Sequence, residues 1–284
     1  MIINLTDVAK EKGIKYFLIS FTDLFGVIRS KLVPANAIEG MQKEGAGFAG
    51  FAAYLDMTPA DSDMFGLPDP ERLIQLPWKP EVGWLPSDIY INGKIVEHGP
   101  RSVLKKVLAD AKLKGYKMKS GVECEFFILT PEGTAVSDPY DIHPKPCYDQ
   151  QALMRRYDMV SEICDYMQDL GWGPYQNDHE DANGQFEMNW DYSDALVTAD
   201  RHSFFKYMVK TVAENHGFRA TFMPKPLASL TGNGCHAHIS VWNNNDQTNL
   251  MEDSQGELGL SELAYNFIGG LLKHATGITA ITNP

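Results

Sequence analysis

Four short segments beyond residue 120 alternate acidic or imidazole side chains with other residues, which constrains the local fold to strands. They are GVECEFF, QNDHED, GQFEMNW and GNGCHAHISVW. Side chains two positions apart on a strand point to the same face, so Glu123 and Glu125 share a face that Cys124 does not. The same spacing aligns His236 with His238. The chain is therefore predicted to form a sheet with one strongly acidic face.

Carboxylates that converge on one face of a sheet need a counter-charge. Two carboxylates about 4 Å apart repel by roughly 4 kcal/mol at an effective dielectric constant of 20. A divalent cation supplies the charge, and oxygen-rich ligands with one imidazole favour Mg²⁺ or Mn²⁺ over Zn²⁺. Cys124 and Cys235 are expected on the opposite face, which argues against a zinc–thiolate site. The alternative for each segment taken singly is a solvated outer face of the sheet.

Glycine and proline divide the chain into a regular series of elements. A hairpin is predicted around Asn92-Gly93, a long strand over residues 116–129 and one helix over residues 153–170. FRATFMPKP is predicted to be a strand and GAGFAGFAAY a loop.

This order of elements predicts an α+β fold, in which helices pack on antiparallel strands. A domain boundary is expected near His98, where a hairpin is followed by the glycine–proline break before a new helix. Residues 1–98 would then form a small mixed domain, and residues 99–284 a larger one that contains the four segments.

Charge and cysteine content restrict the class of protein. The 284 residues include 25 Lys and Arg against 37 Asp and Glu, a formal net charge of −12. Such a polyanion repels phosphate backbones, so nucleic acid is not expected as a partner. The four cysteines contain no CxxC pair, and the N-terminus lacks a basic start followed by an apolar run. We expect a reduced cytoplasmic protein that does not enter a membrane.

The order of six motifs resembles that of the glutamine synthetase family over essentially the whole chain. FTDLFGVIRSKLVPA resembles its N-terminal strand pair, DSDMFGLPDP its proline-rich segment and GVECEFF its metal-binding strand. NDHEDANGQFEMNW, TFMPKP and TGNGCHAHISVW are similar to the segments that follow. GAGFAGFA, KPCYD and DHEDANGQFEMN look most like a bacterial, type III-like branch that includes γ-glutamylmethylamide synthetase.

The resemblance implies a fold, an assembly and a reaction. A β-grasp-like N-terminal domain precedes a catalytic domain with an open antiparallel barrel, and the subunits form a stacked-ring homo-oligomer such as a dodecamer. ATP phosphorylates the γ-carboxylate of glutamate, and ammonia, or methylamine as the alternative, displaces phosphate. Two divalent cations, Mg²⁺ or Mn²⁺, neutralise the reacting anions and orient the γ-phosphoryl group.

The resemblance also implies roles for individual residues. Glu125, Glu180 and Glu187 match ligands of one cation, and Glu123 and His236 match ligands of the second. The other predicted site residues are Asp178 with Glu180 for catalysis, Gly232, Thr231 and Glu125 for glutamate, and His238, Ser240 and Lys225 for the nucleotide, with an ordinary surface lysine as the alternative for Lys225.

Three positions depart from the family pattern. Ala49 stands where an aspartate commonly binds ammonium, Asp178 where the family has a histidine, and Thr231 where an asparagine often contacts glutamate. We therefore expect a changed amine pocket in which Asp178 attracts the cation. The family also continues well past the segment ITNP, so the chain is expected to be a fragment or a truncated record of an incomplete enzyme. A non-catalytic structural member of the family and a metal hydrolase are the competing functions.

Overall fold

Two sheets, one on each side of residue 98, organise the chain in the computed structural model, which describes residues 3–53 and 56–283. The first sheet contains β1 (Tyr16–Thr22), β2 (Ile28–Pro34), β3 (Ala46–Phe48), β4 (Met64–Pro68), β5 (Ile74–Gln75), β6 (Val82–Ile91) and β7 (Lys94–Ile95). The second contains β8 (Tyr116–Leu129), β9 (Pro174–His179), β10 (Gln185–Trp190), β11 (Ser193–Asp194), β12 (Arg219–Thr221) and β13 (Cys235–Asn243).

Helices pack on both sheets, and the predicted α+β class is confirmed. Within residues 3–53 and 56–283, no helix combines the length and the apolar character needed to cross a membrane. The helices are α1 (Leu5–Lys12), α2 (Ile38–Glu44), α3 (Pro100–Leu113), α4 (Gln150–Arg155), α5 (Tyr157–Asp169), α6 (Ala195–Asn215) and α7 (Glu262–Thr282), with 3-10 turns at Ala35–Ala37, Gly50–Ala53, Pro70–Arg72 and Glu257–Gly259.

The first sheet is mixed, with β6 at its centre. Strand β6 pairs in parallel with β1 and antiparallel with β4, and β1 pairs antiparallel with β2. Phe17 and Ile19 of β1 are fully buried against Leu5 of α1 and Ile38 of α2. The predicted hairpin joins β6 to β7, where Asn92 and Gly93 both adopt the positive φ values that a tight hairpin turn requires.

Strand β8 is the axis of the second sheet and spans residues 116–129, as predicted. Strands β13 and β12 pair along one of its edges, β11 and β10 pair along the other, and β9 extends the sheet beyond β10. All these pairings are antiparallel. One face of this sheet packs on α5 and α6 through a large apolar cluster. The other face is left for the polar side chains.

The core and an ionic network both cross the predicted domain boundary. Trp84 of β6 packs on Phe204 of α6, with ring centroids 5.4 Å apart. The buried guanidinium of Arg101, in α3, donates hydrogen bonds to Asp69, to Asp88 of β6 and to Asp200 of α6. Removing one partner from a buried ionic network is strongly destabilising, by about 3–5 kcal/mol. The division into residues 1–98 and 99–284 stays a prediction.

Three local predictions were wrong in detail. The helix expected over residues 153–170 is broken at Arg156, whose φ is −112°. The strand expected in FRATFMPKP is restricted to Arg219–Thr221, because Pro224 and Pro226 have no N–H to donate to a ladder. The loop expected in GAGFAGFAAY contains β3, whose antiparallel pairing with β4 outweighs the low strand propensity of glycine.

Candidate active site

A row of carboxylates crosses three neighbouring strands of the second sheet. The register pairs Glu187 of β10 with Asp178 of β9 on one side and with Glu125 of β8 on the other. Directly opposed residues in antiparallel strands have Cβ atoms about 4.5–5.5 Å apart. The three side chains therefore stand beside one another on the face that the sequence predicts to be acidic.

Glu180, which follows the end of β9, completes a carboxylate trio with Glu125 and Glu187. One oxygen from each lies within 4.8 Å of the others. Glu187 is only 8% exposed, and burial, together with the charges of Glu180, Asp178 and Glu123, raises its pKa to about 7 even though Asn189 donates a hydrogen bond to it.

The pKa values of Asp178, which lies beside the trio, and of Glu180, which belongs to it, change in the same direction as that of Glu187. Burial and nearby negative charges also raise the pKa values of Asp178 and Glu180. A cation that approached the trio would relieve this repulsion and restore full ionisation. The oxygen donor set thus fits Mg²⁺ or Mn²⁺.

Glu123 lies on the same face of β8 but has different neighbours. Its two oxygens accept hydrogen bonds from Nδ1 of His236 at 3.1 Å and from Nε2 of His238 at 2.9 Å. Although burial opposes the change, these bonds lower the pKa of Glu123, and the bond to Glu123 raises the pKa of His236. The Glu123 cluster, which consists of these three residues, thus has an imidazole hydrogen-bonded to each oxygen of its carboxylate.

The side chain of Gln185 positions the trio. Its Nε2 donates to Oε2 of Glu125 at 2.8 Å, to the carbonyl of Gly232 at 3.0 Å and to Oδ1 of Asn233 at 2.9 Å. The backbone N–H of Gly234 donates to the same Glu125 oxygen at 2.9 Å. The glycine-rich turn before β13 is therefore hydrogen-bonded directly to a candidate ligand.

Close approach requires glycine at Gly232 of this turn and leaves little space for a side chain at Gly234. A Cβ on Gly232 would lie 2.4 Å from the carbonyl oxygen of Pro224, and a Cβ on Gly234 would lie 2.8 Å from Oε1 of Glu125. Backbone atoms cannot move aside as a flexible side chain can, so any larger residue at Gly232 would displace the turn. The sequence predicts Gly232 as a site residue, and the structure supplies this physical requirement.

Asp141 fixes the turn that carries Glu180. It accepts hydrogen bonds from Nε2 of the fully buried His179 at 2.6 Å and from the backbone N–H of Gly184 at 2.6 Å. Asn183 donates to its second oxygen at 2.8 Å. Sequence reasoning missed Asp141, because it lies in an irregular segment with no periodicity to connect it to Asn183, 42 residues later in the turn.

The three residues that are predicted to bind the nucleotide lie at two separate places. His238 and Ser240 line a cavity of about 250 Å³ together with Tyr192 and Trp242, and the indole N–H of Trp242 donates to Ser240 at 2.8 Å. Lys225 lies in an exposed loop, where its ammonium donates to the carbonyl of Leu230. Sequence reasoning missed both aromatic residues, although Trp242 continues the alternation of β13.

The remaining departures from the family pattern also have defined positions. The hydroxyl of Thr231 donates to Oδ2 of Asp181, next to Glu180, at 3.0 Å. Ala49 is exposed between β3 and the following 3-10 turn in the first sheet region. Cys124 and Cys235 leave the acidic face, as predicted, but meet His202 of α6 on the other face.

Comparisons with known proteins relate this geometry to a family. The family model described as "Glutamine synthetase, catalytic domain" matches residues 97–284. The chain is 60% identical to a glutamine synthetase of Rhizobium meliloti (strain 1021) over 284 residues, which are 100% of this chain and 65% of that protein. A glutamate–methylamine ligase of Methyloversatilis universalis is 39% identical over 97% of this chain and 63% of its own length.

A solved structure has the same backbone arrangement. The structure described as a GmaS/ADP complex has a TM-score of 0.98 and 65% sequence identity, and the match covers 100% of this chain and 65% of that one. The chain thus spans 63–65% of the length of these relatives. The catalytic-domain fold predicted from the motifs is confirmed.

Proposed function

Because this chain belongs to the glutamine synthetase family, we propose that the protein uses ATP to join an amine to the γ-carboxylate of glutamate through γ-glutamyl phosphate. The observation that carries the proposal is the convergence of the carboxylate trio and the Glu123 cluster on one sheet face. These residues match both cation sites that the family resemblance implies. The relatives named as ligases support the same reaction class.

In this proposal each acidic cluster would hold one divalent cation. Glu125, Glu180 and Glu187 would hold the first, and Glu123 with His236 would hold the second. When bound, Mg²⁺ or Mn²⁺ would neutralise the triphosphate and the substrate carboxylate and would align the γ-phosphoryl group. A purely structural protein gains nothing from gathering one buried and two half-buried carboxylates that repel one another, so the trio favours an enzyme over a scaffold.

The cavity beside the Glu123 cluster is suited to the nucleotide. His238 lies at its edge and also bonds Glu123, so one side chain joins the cavity to the acidic face. The ammonium of Lys119 lies 4.3 Å from the ring centroid of Trp242, a lining residue, and has Asp246 as its ion-pair partner. ADP in the similar GmaS structure supports a nucleotide in this fold.

Asp178 is proposed to be the group that receives the amine. It is half-buried beside Glu123 and Glu125, and burial and these charges raise its pKa. A carboxylate in such surroundings attracts an ammonium or methylammonium cation and can take the proton that the amine must lose before it attacks. Its position at the end of β9 opposite Glu187 places it next to the trio.

Ammonia is the first proposed amine, and methylamine is proposed as a second. Ala49 leaves space that the family's aspartate would fill, and the relatives carry both names. One methyl group is worth only about 1–3 kcal/mol of discrimination in a pocket, so partial rather than absolute selectivity is expected.

The test is an ADP-release assay on the full-length gene product, with glutamate and a panel of amines. We expect release that depends on both glutamate and the amine, and kcat/KM for both amines lowered by Asp178→Asn. The matched control is Asp165→Asn, an exposed aspartate of α5, which should change neither value. If Asp178→Asn leaves both values within about twofold, Asp178 is not the amine-site carboxylate.

The same assay separates the competing functions. A metal hydrolase would use a metal-bound water and have no nucleotide site, so it would release no ADP when glutamate and amine are added, and a structural member would release none under any condition. Either result would contradict the proposed ligase.

A further inference from the structure

Two cysteine thiols lie on the face of the second sheet opposite the carboxylates. Cys124 of β8 and Cys235 of β13 are directly paired across the ladder, and both are free thiols. Helix α6 packs on this face and brings His202 to them. One ligand atom from each of the three residues lies within 4.8 Å of the other two. We call these residues the thiol site.

The imidazole of His202 has an unsatisfied donor or acceptor. Its Nδ1 is buried, and among the residues that the structure describes it has no hydrogen-bond partner. A buried polar atom without a partner costs about 1–3 kcal/mol. The adjoining thiols are weak hydrogen-bonding groups but strong ligands for soft metal ions. A shared ligand would satisfy the imidazole as well as both sulfur atoms.

An open cavity gives access to the thiol site. It has a volume of about 620 Å³ and is lined by all three members together with Lys206 and Phe222, and it extends to Glu125 and His236 of the acidic face. Cys124 is only 2% exposed, whereas Cys235 is exposed, so an ion could enter past Cys235. Three protein ligands with one open side is the arrangement that zinc adopts when its fourth position is left to water or another small ligand.

We propose that Cys124, His202 and Cys235 bind a thiophilic divalent cation of the Zn²⁺ class, with a ligand set distinct from that of the carboxylate trio. On binding, each thiol releases one proton to solvent, and the two thiolates balance the charge of the cation. Thiolate and imidazole select Zn²⁺ or Co²⁺, whereas Mg²⁺ and Mn²⁺ remain with oxygen ligands. The thiol site on one side of β8 would thus bind Zn²⁺ or Co²⁺, and the carboxylates on the other side would bind Mg²⁺ or Mn²⁺.

The two cysteines of the thiol site are adjacent in sequence to candidate active-site residues. Cys124 stands between Glu123 and Glu125, and Cys235 directly precedes His236. A cation on the thiol face would link β8, β13 and α6. It would therefore hold the register that sets Glu123 against His236.

The experiment uses Co²⁺ as the probe, because a thiolate-to-cobalt charge-transfer band appears only when sulfur binds the ion. Metal-free, reduced protein is titrated with Co²⁺. We expect one equivalent of sulfur-bound cobalt per chain, displaced by Zn²⁺ but not by Mg²⁺. Cys235→Ser should remove the band, and His202→Gln should weaken cobalt binding about 10–100-fold.

Matched variants show whether the sulfur ligands are the proposed ones. Cys147→Ser and Cys164→Ser each remove another thiol, and Glu187→Gln removes a carboxylate of the trio; all three should keep the band. Circular dichroism checks that each variant is folded, and Cys235 and His202 on separate elements give two independent tests. The proposal is overturned if wild-type protein shows no band, or if the band survives Cys235→Ser or disappears in Cys147→Ser. These outcomes do not depend on ligase activity.

Discussion

The Glu123 cluster and the carboxylate trio lie on one face of one sheet, but they balance their charge in opposite ways. Glu123 has two imidazoles within 3.1 Å. Among the described residues, no Lys, Arg or His side chain forms an ion pair with a member of the trio. The pKa of Glu123 is accordingly lowered, while that of Glu187 is raised to about 7. The difference teaches that, before any cation binds, imidazoles of the protein contact the carboxylate of Glu123, whereas no cationic side chain among the described residues pairs with the trio.

The largest effect that tests this difference is expected from Glu187→Gln. The substitution keeps the shape of the side chain but removes one ligand charge from the trio. We expect the affinity of the trio for Mn²⁺ to fall about 100-fold, close to 3 kcal/mol, as measured by calorimetric titration. Glu214→Gln, an exposed glutamate of α6, is the control. Equal Mn²⁺ affinity in Glu187→Gln and wild type would show that Glu187 is not a ligand.

In the absence of metal, the two clusters should change the free energy of unfolding in opposite directions as the pH rises. The folded protein holds the Glu187 proton up to about pH 7, whereas the ordinary pKa is 4.5. The folded state therefore binds more protons than the unfolded state between these values, and stability falls as the pH rises through them. Allowing for solvent screening, we expect a loss of about 2 kcal/mol, measured by urea unfolding with a chelator present.

Two comparisons accompany that measurement. In Glu187→Gln this loss should disappear, because glutamine does not titrate. Glu123 acts in the other direction: its lowered pKa gives stability that is present above its ordinary pKa and is lost as the pH falls. If the stability of the wild-type protein rises steadily from pH 5 to about 8 with a chelator present, the conclusion that the trio lacks a counter-charge is wrong.

The smallest expected effect distinguishes the two histidines of the Glu123 cluster. His236→Gln should weaken the second cation about tenfold, since it removes a proposed ligand. His238→Gln should leave cation affinity nearly unchanged and shift the free energy of unfolding by less than about 0.5 kcal/mol, because the ion pair is exposed. Nucleotide affinity, measured separately with ADP, should fall in His238→Gln. Interchanged results would reverse the two proposed roles.

Strand periodicity was enough to predict the acidic face, because side-chain direction on β8 and β13 follows from position alone. Residues 116–129 form a strand as expected, and Glu123 and Glu125 share its face. Periodicity cannot report partners from distant elements. Asp141 reaches the Glu180 turn from an irregular segment, and His202 reaches the two thiols from a helix. Both contacts depend on how the layers pack.

The break at Arg156 shows the same limit within one element. The apolar pattern continues through residues 153–170, yet the helix ends at Arg155 and begins again at Tyr157. The guanidinium of Arg156 donates to the hydroxyl of Ser137 and lies 4.6 Å from the ring centroid of Phe218. These tertiary contacts fix Arg156 outside the helical conformation that the pattern alone favours.

The position of Arg101 has a consequence for cooperativity. Its guanidinium contacts Asp88 in the first sheet and Asp200 in the helix behind the second, and beside it Trp84 packs on Phe204. Partial melting of the first sheet would expose the large rings of the shared core and leave two aspartates of the network without their cation. Such an intermediate has a high free energy, so the two sheets should melt in a single transition. Amides in β6 and β8 should accordingly exchange their hydrogens with similar protection.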